Sequence, residues 1–279
     1  MPAASRSDQQ IRLACKMRRP MRDQDFPADS KLPAVTLGFW IIKILATTLG
    51  ETGGDTVSMT MNLGYLAGTG IFLTLLLVLV GVQMAARRFV PSLYWLTIIA
   101  STMAGTTMAD FATRSMGIGY AGGSALLLVC VLGSLLTWYR SLGSVAVDQV
   151  RDSGTELFYW ITITFSQTLG TALGDWLADT GGLGYVGAGT IFGALLAGLA
   201  LLYLFTPASR VMLFWAAFIL TRPLGATVGD FLDKPIDHGG LDFSRPLASA
   251  VLAGAIVLLI LTVPQRAGSS APAAGRLGR

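Results

Sequence analysis

Four stretches of the chain, residues 66–86, 122–139, 186–205 and 247–263, carry no charged residue and are apolar almost throughout. Each is close to the roughly 20 residues that cross a bilayer core as a helix. Between them lie segments of a different pattern, in which Thr, Gly and acidic residues recur on a four-residue step among apolar ones. The step is that of one helix face, so these segments also predict helices. The pattern predicts eight spans near residues 35–57, 65–86, 92–113, 119–139, 157–178, 185–206, 211–231 and 246–263.

The mixed segments are copies of one another. Phe39-Trp40, Tyr94-Trp95, Tyr159-Trp160 and Phe214-Trp215 each precede by the same distance an acidic residue, Asp55, Asp110, Asp175 and Asp230. In every copy the Trp stands 15 residues before the Asp and a Gly stands five before it. The copies are offset by 55, 65 and 55 residues, so the chain divides into two similar halves. Gly64-Tyr65, Gly119-Tyr120 and Gly184-Tyr185 open the second helix of three copies, and the fourth carries DKPIDHGGLDF instead. Self-similarity at such a period marks a repeat architecture.

Stepping back from each Asp by four and eight residues gives Thr47/Glu51, Thr102/Thr106, Gln167/Thr171 and Arg222/Ala226. A polar stripe on a membrane helix must face protein or water. Beside it run Gly50/Gly54, Gly105/Ala109, Gly170/Gly174 and Gly225/Gly229, small-xxx-small steps that let helices approach closely. Transmembrane Thr and Gln also serve as interhelical glue. The four Asp residues, with Glu51, Thr106, Thr171 and Gln167, are the candidate ion-binding set, and Lys43 and Arg222 the candidate charge-balancing residues. Asp55, Asp110, Asp175 and Asp230 are the candidate metal ligands, because closely placed carboxylates need a cation or protons. Oxygen ligands suit Mg²⁺, Mn²⁺ or Ca²⁺, and a single His with two separated Cys disfavours a soft-metal site. Asp233, Asp237, His238 and Asp242 of the fourth copy suggest an outer vestibule. No catalytic residue or other cofactor is expected: an aspartyl-protease reading of the Gly-Asp sites lacks the Tyr-Asp partner motif, so the chain does not read as an enzyme.

Composition agrees with a lipid environment: 53% of the 279 residues are hydrophobic, only 13% are charged, and mean hydropathy is +0.62. The net charge of +4 is topological, because 15 of the 20 Lys and Arg lie in the first 32 residues, the loops between repeats and the C-terminal segment. The positive-inside rule then places both termini in the cytoplasm and all four repeats in one orientation. Trp40, Trp95, Trp160 and Trp215 would form an interfacial belt at the cytoplasmic face, about 22 Å from their Asp residues at 1.5 Å per residue.

The expected organisation is a basic, disordered cytoplasmic tail over residues 1–32, a membrane half over 33–139, a cytoplasmic linker over 140–156, a second half over 157–263 and a tail over 264–279. The fold class is an all-α integral membrane protein of about eight spans, built as four parallel two-helix repeats with pseudo-fourfold or two-plus-two symmetry.

The four FW/YW…LGxxxGD…GY blocks over about residues 35–263 resemble a bacterial membrane-anchored family of four tandem two-helix repeats of unknown function, sometimes labelled a regulator of amylopullulanase. The family's characteristic Trp maps onto Trp40, Trp95, Trp160 and Trp215. The resemblance implies a bacterial inner-membrane protein and is silent on activity. Glu51-Thr-Gly-Gly-Asp55-Thr56 is also similar, with an extra Gly and no basic residue, to an acidic motif of Mn²⁺ and Ca²⁺ exchangers. The functional expectation is a transporter or channel for a small cation, divalent or proton-coupled. The alternatives are a proton-coupled carrier or exporter of organic solutes, and a non-transporting scaffold or regulator. Partners are the bilayer and the transported cation or solute, with no nucleic acid; a homo-oligomer is compatible.

Overall fold

The computed structural model describes residues 30–268. The rest of the two predicted tails lies outside the described residues. Eight α-helices follow one another: α1 (Leu37–Asp55), α2 (Gly64–Ala85), α3 (Pro91–Asp110), α4 (Tyr120–Leu142), α5 (Ser153–Asp175), α6 (Gly184–Phe205), α7 (Arg210–Asp233) and α8 (Arg245–Thr262). Among the described residues the only β pairing is an isolated bridge between Pro33 and Ala267.

The odd-numbered helices form an inner ring, α1–α3–α5–α7–α1, in which each packs along its two neighbours. The even-numbered helices form an outer jacket. Each leans chiefly on the inner helix of the following repeat: α2 on α3, α4 on α5, α6 on α7, and α8 back on α1. The last contact closes the circle, so no repeat is a terminal cap.

Composition explains the sorting. The apolar residues of α2, α4, α6 and α8 point all round, and only 6–22% of their core windows is buried. These four helices and α7, which is 56% buried, are long and apolar enough to cross a membrane. The faces of α1, α3 and α5 that carry Thr, Gly and acid are buried instead, as polar groups that bond to one another must be in an apolar jacket.

In the first three repeats the inner helix ends at its Asp and widens into one five-residue π turn, Thr56–Thr60, Phe111–Ser115 or Trp176–Thr180. The chain then reverses through Gly64, Gly119 or Gly184, all at positive φ (78°, 73° and 62°), a conformation cheap only without a Cβ. That requirement accounts for the Gly of each Gly-Tyr pair. The fourth repeat lacks the π turn and runs α7 straight to Asp233, with Pro223 inside it.

At the end of the bundle remote from the Asp residues, rings form a closed collar. Phe39 packs on Trp95 (5.5 Å between centroids), Tyr94 on Trp160 (6.0 Å), Tyr159 on Trp215 (6.2 Å) and Phe214 on Trp40 (5.7 Å). Each aromatic pair of the sequence thus spans two repeats. The Tyr94 and Tyr159 hydroxyls meet at 2.7 Å. This corrects the expected interfacial belt: Trp95, Trp160 and Trp215 are buried, and only Trp40 is half-buried. Eight rings thus pack this end of the bundle, each against a ring of a neighbouring repeat.

Residues 30–32 depart from the expected solvated tail. The Ser30 hydroxyl donates to the Val150 carbonyl, and the Lys31 ammonium sits 2.9 Å from Glu156, whose side chain is fully buried. Glu156 therefore belongs to α5, not to a free linker. Asp152 caps α5, accepting from the amides of Gly154 and Thr155, and these bonds hold its carboxyl below the usual range.

Candidate functional site

Five Lys and Arg residues remain once those of the termini and loops are set aside: Lys43, Arg114, Arg222, Lys234 and Arg245. All five turn toward the bundle axis or its acidic mouth.

At the mouth the four repeat Asp residues are buried and bridged in pairs. Arg114 lies 3.1 Å from Asp110 on its own helix turn and 3.0 Å from Asp175 of the next repeat. Lys234 lies 3.0 Å from Asp230 and 2.8 Å from Asp55 of the next repeat around the ring. The arrangement is two-plus-two. Both bases stand four residues after their own Asp, where the other two repeats have Met59 and Asp179. Arg245, the first residue of α8, approaches Asp233 (3.2 Å) and Asp55 (3.7 Å). It stands where the other repeats begin their outer helices with a Gly-Tyr pair; Tyr65 accepts a hydrogen bond from Arg114, and Tyr120 donates one to Asp179.

One turn deeper, Arg222 occupies the axis. Its Nη2 donates to Glu51 (2.9 Å), to Thr106 (2.6 Å) and to Thr171, joining the Asp-minus-four positions of three repeats. Two turns below Asp55 in this ladder comes Thr47, which donates to the Thr221 carbonyl. Deeper still, Lys43 is wholly buried with its ammonium 4.2 Å above the Phe218 ring and 3.5 Å from Gln167 Oε1.

The repeat glycines set these distances. An added Cβ at Gly50, Gly170 or Gly225 would strike Thr102, Arg222 or Thr47 on the next inner helix, and at Gly105 it would come within 2.8 Å of the Gln167 backbone. Gly54, Gly174 and Gly229 face Thr106, Ala226 and Glu51 at 3.0, 3.2 and 2.7 Å by the same measure. Each Gly therefore seats the residue eight before the next repeat's Asp, or four before it. Such close approach lets the inner helices pack backbone against side chain along their length.

Several expectations change. The four Asp residues do not present one four-ligand metal set. Among the described residues the one acidic group with ligand atoms all within 4.8 Å of one another is Glu51, Asp55 and Asp230. Asp110 and Asp175 instead close on Arg114, which supplies the counter-charge a metal would have supplied. Thr106, Thr171 and Gln167 are placed on the axis, with oxygens that accept from Arg222 or Lys43. Among the described residues Lys43 has no acid within ion-pair distance; an aromatic face and an amide oxygen surround it. Asp237 and His238 are exposed and 4.0 Å apart, whereas Asp233 is buried. A depression of about 480 Å³ outside the Asp residues is lined by Arg114, Tyr120, Asp179, Tyr185, Lys234, His238 and Arg245 among others.

The bridging roles of Lys234 and Arg245 were the part missed from sequence. For Lys234 the signal was its spacing of four from Asp230, the same as that of Arg114 from Asp110. Arg245 gave no such signal, since its partners come from α1 and α7.

Together these features define an all-helical, ring-closed repeat protein with an axial ladder of buried charges inside an apolar jacket. The family model described as a Repeat of Unknown Function (DUF347) matches residues 38–89, 93–144, 158–209 and 213–266, and the chain belongs to that family. No curated protein and no solved structure matches the chain.

Proposed function

We propose that the protein is an integral membrane transporter with eight spans, both termini on the cytoplasmic side of a bacterial inner membrane, which moves a small cation along the axis of α1, α3, α5 and α7. The observation that carries this reading is the axial ladder itself: Glu51, Asp55, Asp110, Asp175, Asp230 and Asp233 face Arg114, Arg222, Lys234 and Arg245 inside the bundle. Buried ion pairs do not stabilise a fold better than apolar packing does. In a membrane protein they mark ion and proton paths. Six carboxylates stand against four bases, and the formal excess of two negative charges suits a carrier whose cargo is a cation or a proton.

A carrier fits better than an open channel, because Arg222, Lys43 and the aromatic collar fill the axis. The distribution of Lys and Arg supports the orientation. The depression walled by Tyr120, Tyr185 and Asp179 favours a second reading, a proton-coupled carrier of small organic solutes.

Flux in proteoliposomes tests both. With Mn²⁺ or Mg²⁺ outside and a pH gradient imposed, the intact protein transports the ion, and a variant with Asp55, Asp110, Asp175 and Asp230 all replaced by Asn does not. Equal flux in the two would overturn the reading, and flux of organic cations alone would select the second.

A further inference from the structure

The two halves of the acidic mouth are related by a pseudo-twofold exchange of their Asp–base–Asp bridges, and one failure of the exchange adds a carboxylate beside a bridge. Asp110, Arg114 and Asp175 correspond to Asp230, Lys234 and Asp55. Four residues before Asp175 stands Thr171, whereas four before Asp55 stands Glu51. The interface of the fourth repeat with the first thus has a third carboxylate that its counterpart lacks, and it is this trio whose ligand atoms lie within 4.8 Å of one another. All three side chains are buried.

A second observation concerns one oxygen. Asp55 Oδ2 is used by Lys234 and Arg245, but Asp55 Oδ1, in a residue 1% exposed, has no hydrogen-bond partner. A buried carboxylate oxygen without a partner costs free energy unless something occupies its lone pairs.

Resting on the transport reading, we propose that Glu51, Asp55 and Asp230 form a binding site for a small hard divalent cation, and that the Lys234 ammonium is the internal cation it displaces. The donors are oxygens only, which selects Mg²⁺ or Mn²⁺ over thiophilic metals. The Lys234 ammonium already bridges two of the three carboxylates, so ion and ammonium cannot hold them together. Lys234 is at the end of α7, next to the depression, where a displaced ammonium reaches water. Arg114 serves the other half as a structural bridge, with no third acid to attract an ion.

The test is Mn²⁺ binding to the purified full-length protein in detergent, followed by loss of the free Mn²⁺ electron paramagnetic resonance signal. One Mn²⁺ is expected per chain. Glu51→Gln, Asp55→Asn and Asp230→Asn each weaken binding roughly tenfold or more, since affinity follows ligand charge. Lys234→Met, which keeps the stem and removes the competitor, tightens binding by about tenfold, the size of one exposed-to-buried charge contact. Arg114→Met leaves it unchanged. Because Lys234→Met predicts a gain, misfolding does not imitate it. Absence of binding in both wild type and Lys234→Met, or wild-type binding in the three acid variants, overturns the site. Flux measured in parallel separates the two proposals: Mn²⁺ moved with these acids neutralised removes the site and leaves the transporter, and Mn²⁺ bound here but never moved does the reverse.

Discussion

Arg222 Nη2 and Glu51 Oε2 stand 2.9 Å apart at the axis of the bundle, both buried, although 171 residues separate them in the chain. This pair ties the last repeat to the first, where the ring of inner helices closes. Removing one partner leaves a charge without compensation in a site that excludes water. Arg222→Met should therefore lower stability by about 3–5 kcal/mol, and the double change Glu51→Gln with Arg222→Met should recover most of it. Thermal unfolding in detergent reads both, and a single variant as stable as wild type would refute the pairing.

Gly105 and Gly133 make a matched contrast. The first faces the Gln167 backbone at 2.8 Å for an added Cβ, and the second has open space. Gly105→Ala should cost about 1–3 kcal/mol because two helices must move apart. Gly133→Ala should instead gain up to about 1 kcal/mol from helix propensity. The opposite order in melting temperature would mean that the inner ring is not packed through its glycines.

Asp152 gives a pH dependence of known sign. Its carboxyl is held below the usual range by the amides at the start of α5. Stability from a depressed carboxylate is present above its unfolded pKa and lost as pH falls through the folded one. The protection factors of the α5 amides of Gly154 and Thr155, corrected for the intrinsic pH dependence of exchange, should therefore fall on acidification below the ordinary aspartate range. Asp152→Ala should abolish that response and cost under about 1 kcal/mol, since the cap is exposed.

Asp237 lies in the exposed loop at the acidic end of the bundle. With Cys15 and Cys130 replaced, Asp237→Cys should react with a membrane-impermeant maleimide added outside intact cells, and reporters fused to both termini should read as cytoplasmic. Labelling only after lysis would invert the orientation.

Much of this molecule is written in its pattern. The period of the Trp–Asp register places eight helices and puts the acids at one level, because helical periodicity and apolar length are local properties that a single segment expresses by itself. Gly64, Gly119 and Gly184 could be read as turn residues for the same reason. What only the tertiary structure decided is non-local: that each outer helix leans on the next repeat's inner helix, that the Trp rings face their neighbours' Phe and Tyr rings and not lipid, and that Lys234 and Arg114 each serve two Asp residues. Those choices depend on which helix stands beside which, and four near-identical copies offer the chain several equally patterned neighbours. One difference between the two halves of the mouth, Glu51 where another copy has Thr171, is plain in the repeat, but it acquires chemical meaning only once folding brings Asp230 beside it.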